Sequence, residues 1–134
     1  MLADSYDPQL VNLFTKNHRV RGFASGTFIN GERNNDKQSI NAGSKGEITF
    51  VENADKSGTV EVTLKHNSAS LSYLKRLYDT GEKFPVTVND MRDGSRMGGT
   101  EAKIASMGGY ERSDDVSDKT ITIVVANYDE FYNF

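Results

Sequence analysis

Two neighbouring runs of strict apolar–polar alternation constrain this chain more than any other feature of its sequence. Ile48 and Phe50 alternate with Glu47 and Thr49, and Val60, Val62 and Leu64 alternate with Thr59, Glu61, Thr63 and Lys65. Successive side chains of a strand point to opposite faces, so period two predicts two half-buried strands. Between them, residues 52–58 (Glu-Asn-Ala-Asp-Lys-Ser-Gly) supply the Asn, Asp, Ser and Gly that reversals favour. The pattern predicts a β-hairpin over Ile48–Lys65. A helix should follow. Asn67, Ser68 and Ser70 offer side-chain N-caps, Leu71, Leu74, Leu77 and Tyr78 fall at helical spacing, and Gly81 and Pro85 stop it.

Upstream, Gln9–Phe14 reads as a short strand or a helical turn, with strand preferred, and Arg19–Ile29 as a second strand. Gly22, Ala24 and Gly26 share one face of that run, which predicts close packing or a bend. Residues 30–46 are polar and of mixed charge, with Ile40 their one large apolar residue. If the flanking strands pair, this stretch is a long protruding hairpin arm; otherwise it is an exposed loop. Downstream, Phe84–Asn89 and Ala102–Met107 read as strands, with Asp93-Gly94 a hairpin turn after the first. Thr120–Ala126 is the most β-prone run and should be a central strand. The tail from Asn127 to Phe134 carries Tyr128, Phe131, Tyr132 and Phe134, aromatics that should dock on the core or on a neighbour. Strands around one helix predict a mainly β fold, a sandwich or barrel in a single domain.

The 134 residues suffice for a core without staples, and there is no cysteine, which excludes disulfides, thiolate metal sites and cysteine nucleophiles. The first ten residues lack a basic stretch followed by an apolar run, and no segment has the length and apolarity of a membrane span. A net charge of −3 argues against tight binding of duplex nucleic acid. Hydrophobic residues make up only 36%, which points to large solvated or partner-facing surfaces.

Chemistry is hard to find. His18 and His66 stand apart with no ligand pattern around them. The glycines at 94–99 and 108–109 precede no helix and lack the Lys-Ser/Thr pair of a phosphate loop. The acidic pairs Asp90/Asp93, Asp114/Asp115 and Asp129/Glu130 lack the spacing of a calcium loop. No serine stands in a nucleophile elbow. The sequence reads as non-enzymatic, with no cofactor implied.

Three segments then carry a likeness. SYDPQLVNLF, HRVRGFASGTFINGERN and ENADKSGTVEVTLKHNSASLSYLKRL, continued by FPVTVNDMRDG and SDDVSDKTITIVV, resemble the small tail tube proteins of contractile-tailed bacteriophages and prophages. The resemblance implies a β-sandwich or barrel with one flanking helix, joined six to a ring, with rings stacked into a hollow tube inside a contractile sheath. It implies as partners further copies of the chain, the sheath protein, and a tape-measure protein and DNA passing through the lumen. It implies a virion tail as the site of action, after synthesis in the bacterial cytoplasm.

By the same resemblance Asn34, Asn35, Asp36, Lys37, Gln38 and Ser39 are candidates for inter-ring stacking, ordering on assembly. Glu47, Thr49, Glu61 and Thr63, on the polar face of the expected hairpin, are candidates for a lumen lining that lets phosphate slide, or they face solvent on an isolated sandwich. The competing reading is a monomeric β-sandwich binding module of a tail or baseplate. Against it, there is no tryptophan to act as a stacking platform.

Overall fold

The computed structural model describes residues 11–16, 18–114 and 117–132. Its elements, in chain order, are β1 (Val11–Thr15), β2 (His18–Arg19), β3 (Ile29–Arg33), β4 (Gln38–Ala42), β5 (Ile48–Glu52), β6 (Gly58–Lys65), α1 (Leu71–Thr80), β7 (Phe84–Asp90), β8 (Arg96–Ser106), β9 (Asp118–Val125) and β10 (Asp129–Phe131). Eight strands form one antiparallel sheet in the order β2-β1-β7-β8-β9-β6-β3, with β10 also on β8. β9 and β10 run end to end along the same edge of β8, opposite Ala102–Ser106 and Arg96–Gly98 respectively. β4 and β5 make a separate two-stranded sheet. The fold is mainly β with one helix.

Alternation decides which face is buried. On β6, Val60, Val62 and Leu64 are fully buried while Glu61 and Lys65 are exposed. On β9, Ile121, Ile123 and Val125 are buried opposite Val62, Val60 and Gly58. Phe84, Val86 and Val88 of β7, Ala102 and Ile104 of β8, and Leu13 of β1 complete the apolar layer. The expected central strand at 120–126 is β9, which lies between β8 and β6.

The expected hairpin over Ile48–Lys65 does not form. β5 pairs with β4, Ile48 opposite Ala42 and Phe50 opposite Ile40, whereas β6 pairs with β3 and β9. Nor is β5 half-buried as its alternation predicts: Ile48 and Phe50 are exposed, because β6 already has β3 and β9 on its two edges and alternation does not decide which strand lies beside which. The expected strand at Arg19–Ile29 is also broken. Gly22 adopts φ +79, a left-handed turn, and β2 ends at Arg19. The intervening backbone hydrogen-bonds to β1 on one side (Val20 N–H to Leu13 O, 2.9 Å) and to β6 on the other (Ala24 N–H to Thr63 O, 3.0 Å). It therefore links the two ends of the sheet around the core. The strand expected over 9–14 is present as β1 from Val11 onward; Gln9 and Leu10 lie outside the described residues.

α1 contains no β-branched residue before Thr80 and is rich in Leu, Lys and Arg, good helix formers. Leu74 and Leu77 are buried, and Leu71 and Tyr73 pack beside them. Gly81 caps its C-terminus at φ +66, its N–H reaching Leu77 O at 3.1 Å. Ser70 occupies the N-cap position but makes no side-chain cap bond. Its hydroxyl instead accepts the Arg21 N–H and contacts His18 Nε2, both at 2.9 Å, while the His18 ring stacks on Tyr73 at 4.2 Å. The helix start is thus tied to the 18–21 segment. The tail aromatics divide: Tyr128 is buried in the core, Phe131 and Tyr132 are exposed, and Phe134 lies outside the described residues.

Candidate assembly surfaces

The 30–46 stretch is not a plain loop. Asn30–Arg33 belong to β3 and pair with Gly58–Glu61, and Gln38–Ala42 form β4 against Ile48–Glu52. The chain reverses at Gly43–Gly46, where the Gly43 N–H bonds to Glu47 O at 2.7 Å. The result is an arm of two strands standing off the main sheet, every residue of β4 and β5 exposed.

A hydrogen-bonded collar holds its base. Asn34 donates its side-chain amide to Ser57 Oγ (2.9 Å) and accepts the Thr59 hydroxyl (2.8 Å). Asn35 donates to Asp55 Oδ2 at 2.6 Å, the Ser57 N–H to Asp55 Oδ1 at 2.9 Å, and Arg33 to Asp55 O at 2.6 Å. The Ser57 backbone N–H, then the Ser57 hydroxyl and the Asn35 amide, hold the Asp55 carboxyl below its ordinary range. Of the six residues expected in the stacking arm, Asn34 and Asn35 thus tie the arm to the body. Asp36 and Lys37 follow in the approach to β4, and Gln38 and Ser39 open that strand opposite Glu52 and Val51.

The arm also has an apolar face that its polar composition concealed. Register puts Ile40 opposite Phe50 and Ala42 opposite Ile48. Ile40, Ile48 and Phe50 are 63%, 57% and 73% exposed. Ile40 was the one visible hint; the rest needed the β4–β5 register.

The four residues expected to share one polar face divide between two sheets. Glu47 and Thr49 are on the arm; Glu61 and Thr63 are on β6. On the main sheet Glu61 and Thr63 lie opposite Thr122 and Thr120, with Thr59 opposite Val124 and Lys103 next in that row. This face, directed away from the core, mixes the hydroxyls of Thr59, Thr63, Thr120 and Thr122 with charges of both signs, Glu32, Glu61 and Asp118 against Lys65 and Lys103. Among the described residues no three His, Asp or Glu side chains are placed to hold a metal ion, and no helix is long and apolar enough to cross a membrane.

Other solved structures share this fold. No family model and no curated protein sequence matches the chain. A chain in the cryo-EM structure of the anti-feeding prophage cap, the tube terminating cap, aligns with a TM-score of 0.61 at 10% identity, over 98% of this chain and 95% of that one. A chain of an extracellular contractile injection system, in its PVC sheath-tube complex in the extended state, aligns with a TM-score of 0.64 at 12% identity, over 91% and 88%. Another, in the PVC sheath/tube terminator in the extended state, gives 0.64 at 10% identity over 98% and 99%. At such identities the likeness is one of fold, and it runs almost end to end.

Proposed function

We propose that the chain is a structural subunit of a contractile tail or injection particle, and within it a subunit of the hollow tube. The observation that carries this is the end-to-end agreement of fold with chains of a tube cap, a sheath-tube complex and a sheath/tube terminator. The resemblance of its sequence segments to phage tail tube proteins points the same way. On this reading six copies close a ring, rings stack, and the sheath surrounds them. DNA and a tape-measure protein pass inside, no catalysis is involved, and all 134 residues act as one unit.

The geometry suits that role. An arm with open edges and apolar residues in water is a liability in a monomer and an asset in a polymer. The hydroxyl-bearing face around Glu61 and Thr63 suits a lumen, because a wall without a basic surplus does not bind phosphate through counterion release. Glu47 and Thr49 go with the arm and its contacts instead.

Negative-stain electron microscopy of concentrated protein, beside sedimentation of dilute protein, tests the proposal. Rings or hollow tubes are expected. A chain that stays monomeric at every concentration, also with a preformed tube end as initiator, would favour the binding module and overturn the tube.

A further inference from the structure

We infer that Met97 is an oxidation site, and that turning its thioether into a sulfoxide loosens the base of the arm. The inference stands apart from the tube reading, since it concerns how the arm is held and not what it meets. Met97 stands in the middle of the β7–β8–β10 ladder, opposite Val88 on one side and Glu130 on the other. Its side chain occupies the space that Gly31 of β3 leaves free, where a β-carbon on the glycine would overlap both Sδ and Cε. Methionine, unbranched and polarisable, suits such a gap. The Tyr128 hydroxyl lies 3.5 Å from the same sulfur, with the Glu130 side chain as a further partner. One sulfur thus joins β8 to β3 and to the tyrosine whose N–H bonds to Lys56 O, at the arm's base, at 3.0 Å.

Met97 is only half-buried. It lines an open hollow of about 490 Å³ with Val11, Phe28, Ile29, Val88 and Tyr132, and a peroxide can approach from there. The sulfur lone pair attacks one peroxide oxygen, the O–O bond breaks and an S–O bond forms. The departing hydroxide leaves as water, taking the proton of the transferred hydroxyl. Sulfur gives up two electrons and the peroxide takes them. The product does not fit the gap. Towards Gly31 there is no room for a further atom. Towards the hollow the new oxygen meets Val11, Ile29 and Val88, whose side chains have no donor, and an unpaired polar oxygen is costly there. Towards Tyr128 it takes the place in which the hydroxyl now lies. In each direction Met97 or Tyr128 has to move, and the tie at the arm's base opens.

Peptide mapping after graded hydrogen peroxide, with amide exchange on the same samples, tests the inference. Met91, 68% exposed, should oxidise first, Met97 next and Met107, 7% exposed, last. In Met91→Leu protein, oxidation of Met97 should speed exchange of the Tyr128 and Asn34 amides by on the order of tenfold relative to Val60 and Val62. Those two amides bond to Lys56 O and Ser57 O at the arm's base. Methionine sulfoxide reductases should restore slow exchange, and protein carrying both Met91→Leu and Met97→Leu should not respond to peroxide. A Met97 that stays a thioether until Met107 is attacked overturns the inference. So does a fully oxidised Met97 with unchanged exchange, or an equal response in the double variant. If the double variant does not fold, the reductases decide: exchange that stays fast once Met97 is reduced again overturns it as well.

Discussion

The ring of Tyr128 lies directly against the bare backbone of Gly58. A β-carbon built on Gly58 would collide with the ring, and one on Gly31 would come within 3.0 Å of the Tyr128 hydroxyl. Tyr128, between β9 and β10, is therefore seated on the two strands, β6 and β3, from whose ends the arm departs. Tyr128 N–H also bonds to Lys56 O at 3.0 Å, so the tail fixes the base of the arm from below. Burial, with Glu130 nearby, pushes the Tyr128 hydroxyl well above the usual tyrosine range.

Gly58→Ala should accordingly cost about 1–3 kcal/mol through overpacking. Chemical denaturation measures it. In a Tyr128→Ala background the same change should cost much less, because the clash has been removed. Equal costs in both backgrounds would show that Gly58 is not required by the ring.

Leu74→Asp should destabilise the fold by at least about 3 kcal/mol, since Leu74 is 1% exposed on the buried face of α1 and the carboxylate would have no partner there. The exposed neighbour Arg76 serves as the control position, and its replacement by Ala should leave the denaturation midpoint nearly unchanged. An unchanged midpoint for Leu74→Asp would mean that the helix does not present this face to the core.

Excising the arm beyond its collar should spare the body. The Asn53 N–H bonds to Lys37 O at 2.8 Å, so the two legs are already adjacent there and an Asn-Gly turn can join them in place of residues 38–52. Every residue removed is exposed, so the loss of stability should stay within about 1 kcal/mol. Assembly should be lost, as read by sedimentation. Tubes of normal length from the shortened chain would remove the arm from the interface.

The collar should loosen in acid. Asp55 has its pKa lowered in the folded chain, so its contribution is present above the ordinary value of 3.8 and fades as pH falls through the lower folded value. Protonation weakens the acceptor for the Ser57 N–H and the Asn35 amide. Amide exchange at Ser57 should therefore accelerate below pH 3.8 relative to that at Val60 and Val62 on the adjoining strand β6. Asp55→Asn should show the faster exchange already at neutral pH.

What the sequence disclosed was local, and what it hid was pairing. The helix with its Gly81 stop, the turn at Asp93-Gly94 and the strand at Thr120–Ala126 were each readable because a few consecutive residues determine them. β8 begins at Arg96, well before the strand expected from Ala102, because Gly98 and Gly99 mask strand character that their neighbours supply. The partner of β5 could not be read at all. Its alternation suits β6 or β4 equally, and β6 already carries β3 and β9 on its two edges. The candidate surface was half legible for the same reason. Residues 30–46 looked polar and projecting, yet its apolar character appears only when Ile40 stands opposite Phe50.

The ordering of charges along the arm has a consequence for handling the protein. Asp36 and Lys37 precede the apolar residues, Lys45 and Glu47 occupy the tip, and Glu52 closes the second leg. Such flanking charges act as gatekeepers that disfavour edge-to-edge aggregation of an exposed strand pair. Ionic strength weakens that guard, the Debye length being about 8 Å at physiological salt, so salt eases association through the arm. On the proposed tube reading, a subunit dispersed in dilute buffer should be driven toward polymer by added salt alone.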